Sequence, residues 1–320
     1  MSQGSTPHSF ASPQTEARYR PAGDFARRLV TVTVTVAVAV AVAAAVVLVS
    51  APAWARTPAC DSLPQDKKGE AKKLLSQIFS YDCCDRTVAE CLAVKPNRCR
   101  LAVRLANDIC RLLKAGVPAK DTELVLSQRA QSMIPTGARF AFELEDSMAV
   151  GPANAPVQVV VYACTRCPFC KQLLPLLFRE VATGSLQGKV RLYFRPFPLR
   201  DHPGSTEGGL ALLAAAEQNK LWPFLLYLYE RFDQFAPEKL PEWAASLGMD
   251  KESFAKTSSA APSREKLVAT KREGLRNKVA ATPSLFINGR KYVYDLDLAV
   301  LVDVLLEEHE RVTGNNKEGQ

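Results

Sequence analysis

The sequence predicts an α/β fold: a β–α–β unit and a β–β–α unit flank a long helical insert, and a small cysteine-rich helical bundle precedes them. Three observations predict it. The apolar run Val157-Gln158-Val159-Val160-Val161-Tyr162 reads as a buried strand and leads into Cys167-Pro168-Phe169-Cys170 and a helical pattern. Ser284–Ile287, a turn at Asn288-Gly289, and Lys291–Tyr294 read as a β-hairpin, followed by a helical pattern over Leu296–Val312. Between these two units, residues 206–278 are almost wholly helix-like, with Trp222, Phe224, Tyr227 and Phe232 as core candidates.

The chain begins with a segment that does not belong to this fold. Residues 1–28 are polar and carry Arg18, Arg20, Arg27 and Arg28, and Leu29–Ser50 is free of charge. Ala53-x-Ala55 then supplies small residues at cleavage spacing, so residues 1–55 read as a secretory signal peptide cut after Ala55. The apolar run is also long enough to span a bilayer, which leaves an N-terminal membrane anchor as the alternative. Either reading places the rest of the chain in the periplasm or another extracytoplasmic space.

All nine cysteines follow this leader, as suits an oxidising compartment. Taking the leader's net +2 from the formal +8 leaves +6 on the remainder, a mildly basic surface without an arginine-rich helix interleaved with aromatics. Nucleic-acid binding is therefore not expected. The three histidines, His8, His202 and His309, are far apart, and no HExxH or paired Cys/His spacing occurs, so no metal site is expected.

Residues 56–133 read as helical. Apolar residues recur at helical spacing over Lys67–Ser80, over Leu101–Leu113 (closed by Ala115-Gly116) and over Asp121–Met133. Six cysteines lie here, Cys60, Cys83, Cys84, Cys91, Cys99 and Cys110. Three disulfides stapling a small core are the expected use, with 15 possible pairings. In an antiparallel helix pair turning at Lys95-Pro96-Asn97, Cys91 meets Cys99, and Cys83 or Cys84 meets Cys110. The alternatives are a second redox-active pair, with vicinal Cys83-Cys84 as its most conspicuous element, or metal binding.

Residues 134–320 hold the α/β part. Arg139–Leu144 reads as a short strand, followed by the Val157–Tyr162 strand, a helix from Phe169 to about Ala182, and a strand over Val190–Phe194. The helical insert over about 205–278 and the closing hairpin and helix complete the order of a thioredoxin fold.

The chemistry is expected at the dithiol. A thiolate is the attacking species, and Cys167 sits where the next helix begins, facing unpaired N–H groups and the positive end of the dipole. Cys167 is thus the candidate nucleophile, and Cys170, one turn further in, the resolving thiol. Pro168 suits the first helical position, where its missing N–H costs nothing. Cys164-Thr165-Arg166-Cys167 is a second, overlapping CxxC, in which Cys164 either ends the strand as a small buried residue or bonds to a cysteine of the helical region. No suitably spaced fourth cysteine follows to complete an iron–sulfur site. Lys171 and His202 read as an ordinary helix lysine and loop histidine, or as aids to charge and proton transfer.

Ala155-Pro156-Val157, Cys167-Pro168-Phe169-Cys170-Lys171, Pro198-Leu199 with His202, and Ala281-Thr282-Pro283-Ser284 before Phe286-Ile287-Asn288-Gly289 resemble the DsbA-like thioredoxin-fold family over residues 140–312. The resemblance implies that Thr282-Pro283 is a cis-proline loop facing the dithiol. With Pro168 and Phe169, these two are the substrate-contacting candidates. It implies a thiol–disulfide oxidoreductase of the cell envelope that forms, isomerises or reduces disulfides in exported cysteine-bearing proteins. Such an enzyme works with a membrane electron donor or acceptor and needs no cofactor beyond the Cys167–Cys170 disulfide. Residues 60–133 have a weaker resemblance to the helical bundle of CcmH-type cytochrome c maturation proteins, whose Cys-x-x-Cys is absent here. The other functions left open are a non-catalytic binding or scaffold protein and a dedicated thiol reductant in cytochrome c or metal-site assembly.

Overall fold

The computed structural model describes residues 57–94, 99–134 and 139–314, all within one compact unit. The leader, its expected cleavage site and the expected turn at residues 95–97 lie outside the described residues.

Five strands form one mixed sheet in the order β1-β3-β2-β4-β5. Strand β2 (Val157–Ala163) is central, parallel to β3 (Val190–Pro196) and antiparallel to β4 (Ser284–Ile287). Its run of valines suits a strand covered on both faces, since β-branched side chains fit a pleated surface. The two faces sort the residues by alternation. Val157, Val159, Val161 and Ala163 join the main core, whereas Val160 and Tyr162 pack with Phe197 and Phe286 in a second cluster. Helix α6 (Pro168–Ala182) follows β2 and adds Leu174 and Leu177 to the main core. The insert holds five α-helices, α7 (Ser205–Glu217), α8 (Leu221–Glu230), α9 (Leu240–Ser246), α10 (Lys251–Ser259) and α11 (Ala261–Arg276), with two short 3-10 turns between α8 and α9.

Two strand expectations are corrected. Arg139–Leu144 forms no strand, because its groups are held individually. Phe140 and Phe142 pack on Phe286, the Glu143 N–H donates to the Glu273 carboxylate (2.8 Å), and Arg195 donates to the Glu143 carbonyl (2.6 Å). The outer strand is instead β1 (Ala149–Val150), antiparallel to β3. The hairpin turn forms at Asn288 and Gly289, both at positive φ, but β5 is only Arg290–Lys291. It ends early because the Val293 N–H leaves the ladder for the Ser132 hydroxyl (3.0 Å). Helix α12 (Leu298–Thr313) closes the chain, with the Asp297 carboxylate accepting from the N–H groups of Ala299 and Val300.

The cysteine-rich segment comprises α1 (Pro58–Asp61), α2 (Gln65–Leu75), α3 (Val88–Ala93), α4 (Arg100–Lys114) and α5 (Ala119–Met133). An isolated bridge between Phe79 and Thr87 closes the loop after α2. Leu74, Val88, Leu101, Leu105, Ile109 and Leu113 build a core of their own. All six cysteines are bonded, as Cys60–Cys110, Cys83–Cys99 and Cys84–Cys91. The expected Cys91–Cys99 and Cys83- or Cys84-to-Cys110 pairs are therefore incorrect. Cys84 does not share a helix face with Cys91; it lies in the loop before α3 and folds back onto it. Cys110, deep in α4, faces α1 and takes Cys60.

Helix α12 is tied to this segment by charge. The fully buried Arg129 guanidinium of α5 donates to Asp108 (2.7 Å), Asp303 (2.8 Å) and Glu307 (2.5 Å). Tyr81 adds a further hydrogen bond to Glu307.

Candidate active site

The chain leaves β2 through Cys164 and turns, with the Cys167 N–H donating to the Cys164 carbonyl (3.2 Å). Cys167 then caps α6 with extended backbone (φ −93°, ψ 123°), and Pro168 takes the first helical position. The first turn carries no acidic residue, so nothing cancels the positive end of the helix dipole.

Cys167 and Cys170 are both unbonded thiols, 2% and 0% exposed. The Thr282–Pro283 peptide is cis and faces them: the Cys167 thiol donates to the Thr282 carbonyl at 3.3 Å. The Thr282 hydroxyl is buried there and has no hydrogen-bond partner. The Cys170 thiol, Thr282 and the backbone N–H groups of Cys170 and Phe169 hold the Cys167 thiol down at about 5, against the opposing effect of burial. Cys170 moves the other way. Burial, then its hydrogen bond to Cys167 and the charge there, push its thiol far above the ordinary range. One sulfur of the pair is therefore set up as a thiolate and the other as a thiol.

Cys164, the residue after β2, is buried and unbonded, because the helical segment's cysteines are all taken by one another. Its sulfur accepts from the Arg166 N–H (3.4 Å) and lies 3.4 Å from His202 Nδ1. Burial pushes this thiol up. His202 thus sits against Cys164 rather than at the dithiol. Lys171 points to Asp233 (3.6 Å) and over the Phe232 ring, while Arg166 lies over Phe232 and Phe235.

Beside the dithiol runs a groove of about 520 Å³ lined by Phe169, Leu173, Leu176, Thr282, Pro283 and Leu296. Phe169 is 67% exposed and Leu176 38%, an unusual display of apolar area. Leu173, Leu176 and Leu296 are absent from the residues picked from sequence. The signal was available, since Phe169, Leu173 and Leu176 fall on one helix face at i, i+4 and i+7. Leu296, from the loop before α12, carries no such pattern. Among the described residues no group of three or more His, Cys, Asp or Glu side chains is placed to hold a metal ion.

A family model described as thioredoxin matches residues 143–305. Among curated proteins, the chain is 32% identical over 143 residues to the Na(+)/H(+) antiporter NhaA 3 of Salinispora tropica, covering 44% of this chain and 22% of that protein. It is 31% identical over 153 residues to the Na(+)/H(+) antiporter NhaA 1 of Salinispora arenicola, with the same coverages of 44% and 22%. The chain therefore spans less than a quarter of the length of these two relatives. Among solved structures, oxidised BdbD from Bacillus subtilis aligns with TM-score 0.47 at 18% identity, over 54% of this chain and 100% of that one. Wolbachia pipientis alpha-DsbA1 aligns with TM-score 0.46 at 18% identity, over 54% and 96%.

Proposed function

The chain belongs to the thioredoxin family, and from that premise we propose that it is a thiol–disulfide oxidoreductase of the cell envelope that introduces disulfides into exported proteins. Cys167 is the nucleophile and Cys170 the resolving thiol. In its oxidised form the Cys167–Cys170 disulfide is attacked at Cys167 by a substrate thiolate, and Cys170 leaves. A second substrate thiolate then attacks the substrate sulfur of the mixed disulfide and releases Cys167 as a thiolate. The substrate loses two electrons and the Cys167–Cys170 pair gains them.

The observation that carries this direction is the set of donors around the Cys167 sulfur, which hold its thiol at about 5. A stabilised thiolate favours the reduced pair, so the disulfide form is a strong acceptor of electrons and a good oxidant of other thiols. The groove along Phe169, Leu176, Pro283 and Leu296 offers an apolar bed for an extended substrate segment. Next to it, the backbone at Thr282 can pair with that segment as an added strand does.

An extracytoplasmic location is supported by three disulfides outside the dithiol and by the export signal or anchor read at residues 1–55. Turnover requires an electron acceptor, for which a membrane partner is the natural class, and no cofactor beyond the dithiol itself.

The test is to equilibrate the protein with glutathione buffers and to trap substrate with Cys170→Ala. The expected result is a pair already reduced under mildly reducing conditions and a mixed disulfide through Cys167. A pair that stays oxidised at strongly reducing potentials, or a Cys170→Ala protein that captures no partner thiol, overturns the proposal.

A further inference from the structure

Cys99 occupies the same local position as Cys167. Each is the N-cap of a 15-residue helix with no acidic residue in its first turn, and neither side chain makes a capping hydrogen bond. Cys99 is bonded to Cys83, and the adjacent Cys84 to Cys91. Both disulfides line one surface cavity of about 410 Å³, together with Asp85, Arg86 and Val94. Cys83, Cys84 and Cys99 are part exposed there, whereas Cys91 is 1% exposed. The Cys60–Cys110 bond differs, since Cys110 is wholly buried between α1 and α4.

We propose that the Cys83–Cys99 disulfide is a second thiol–disulfide exchange site, open to dithiols that enter this cavity. A thiolate of the incoming dithiol attacks Cys83 Sγ, the bond to Cys99 breaks, and Cys99 leaves as a thiolate at the N-terminus of α4. The second thiol of the reagent gives up its proton and attacks its own sulfur in the mixed disulfide. That closes the reagent's disulfide and frees Cys83, which takes up a proton. The reagent loses two electrons and the Cys83/Cys99 pair gains two. Exchange rates rise as the leaving thiol becomes more acidic, and a helix N-terminus makes a thiol more acidic. Cys91 is the poorer leaving group, because it lies in the apolar core of the helical segment.

The charges facing Cys99 do not cancel the helix end. Asp82 places its carbonyl oxygen 3.8 Å from the sulfur, but its carboxylate accepts from the Cys83 N–H (2.7 Å) and Arg311 of α12 faces it. Arg100, next in α4, pairs with Glu310 of α12 (3.2 Å). The Ser80 hydroxyl lies 3.9 Å from the sulfur, and Asp85 and Arg86 stand together in the cavity wall.

The experiment uses the full chain carrying Cys167→Ser and Cys170→Ser, so the first site is silent and the proposed function plays no part. The protein is equilibrated with graded mixtures of reduced and oxidised dithiothreitol, quenched, alkylated and mapped by mass spectrometry. Cys83 and Cys99 are expected to be labelled together at a dithiol-to-disulfide ratio about tenfold or more below that which opens Cys60–Cys110, with helical circular dichroism unchanged. Opening of both bonds at one ratio, with loss of helix, overturns the proposal. A second measurement follows alkylation of Cys99 in Cys83→Ser against pH. A half-maximal rate clearly below the ordinary thiol value of about 8.5 supports the helix-end leaving group, and one at or above it refutes it.

Discussion

The Cys167 sulfur lies 3.3 Å from the carbonyl of Thr282, the residue whose own hydroxyl is buried nearby without a partner. In the thiol state the carbonyl accepts the Cys167 proton. Once that proton leaves, a hydroxyl able to rotate toward the sulfur becomes the useful neighbour, and Thr282 helps to lower the thiol. The same residue therefore serves both protonation states.

A pH dependence follows. With the Cys167 thiol held at about 5, alkylation of the reduced protein should reach its half-maximal rate near that pH rather than near the ordinary thiol value. The stability of the reduced form moves with it. A group whose folded pKa is depressed contributes stability that is fully present above its unfolded value and lost as pH falls through the folded one. The reduced protein should thus lose stability relative to the oxidised protein as pH falls from about 8.5 toward 5. Urea unfolding of both forms across that range checks it; a constant difference would count against a native thiolate.

Thr282→Val keeps the shape and removes the hydroxyl. Hydrogen bonds to charged groups contribute about 1.5–3 kcal/mol, so the Cys167 thiol should rise by about one pH unit or more. Iodoacetamide kinetics against pH read this directly. An unchanged midpoint would show that the sulfur is held by Cys170 and backbone N–H groups alone.

The groove predicts a split between binding and chemistry. Phe169 is exposed beside the dithiol yet distant in role from proton transfer, so Phe169→Ala should weaken binding of a cysteine-containing peptide about fivefold, equivalent to about 1 kcal/mol of lost apolar contact. The effect should fall on KM, with kcat and the Cys167 pH profile preserved. An equal loss in kcat would place Phe169 in positioning the sulfur instead.

The parts of this architecture that were legible in the sequence were those with local causes. The valine run of β2, Pro168 at the first helical position, and Asn288-Gly289 in the hairpin turn each carry their own signal. The resemblance, not the local chemistry, pointed to the cis bond before Pro283. The misplaced strand at Arg139–Leu144 has the opposite character: its aromatics fit a strand, but Glu273 and Arg195, far along the chain, bind its backbone. Disulfide pairing failed for the same reason. Cys83, Cys84, Cys91 and Cys99 pair according to a loop whose course no helical period encodes. The second face of the site was half legible, since Leu173 and Leu176 share a helix face with Phe169 whereas Leu296 arrives from a distant loop.

Arg129 offers the last prediction, because it joins α4, α5 and α12 through three carboxylates. Its guanidinium is fully buried, as are nearly all of the Asp108 and Glu307 side chains, so Arg129→Met takes from Glu307 the cation it pairs with and leaves Asp108 with Arg111 (3.2 Å). Removing one member of a buried charge network costs about 3–5 kcal/mol, most of it from the charge left behind. Arg129→Met should therefore lower the urea midpoint strongly, whereas adding Asp108→Asn and Glu307→Gln to it should recover much of the loss. If the triple variant is as unstable as the single one, the arginine acts by packing rather than by charge. The dithiol gives an internal control: the groups that hold the Cys167 thiol down are Cys170, Thr282 and the Phe169 backbone, not Arg129 or its carboxylates, so the Cys167 alkylation midpoint should stay near 5 in every variant that remains folded.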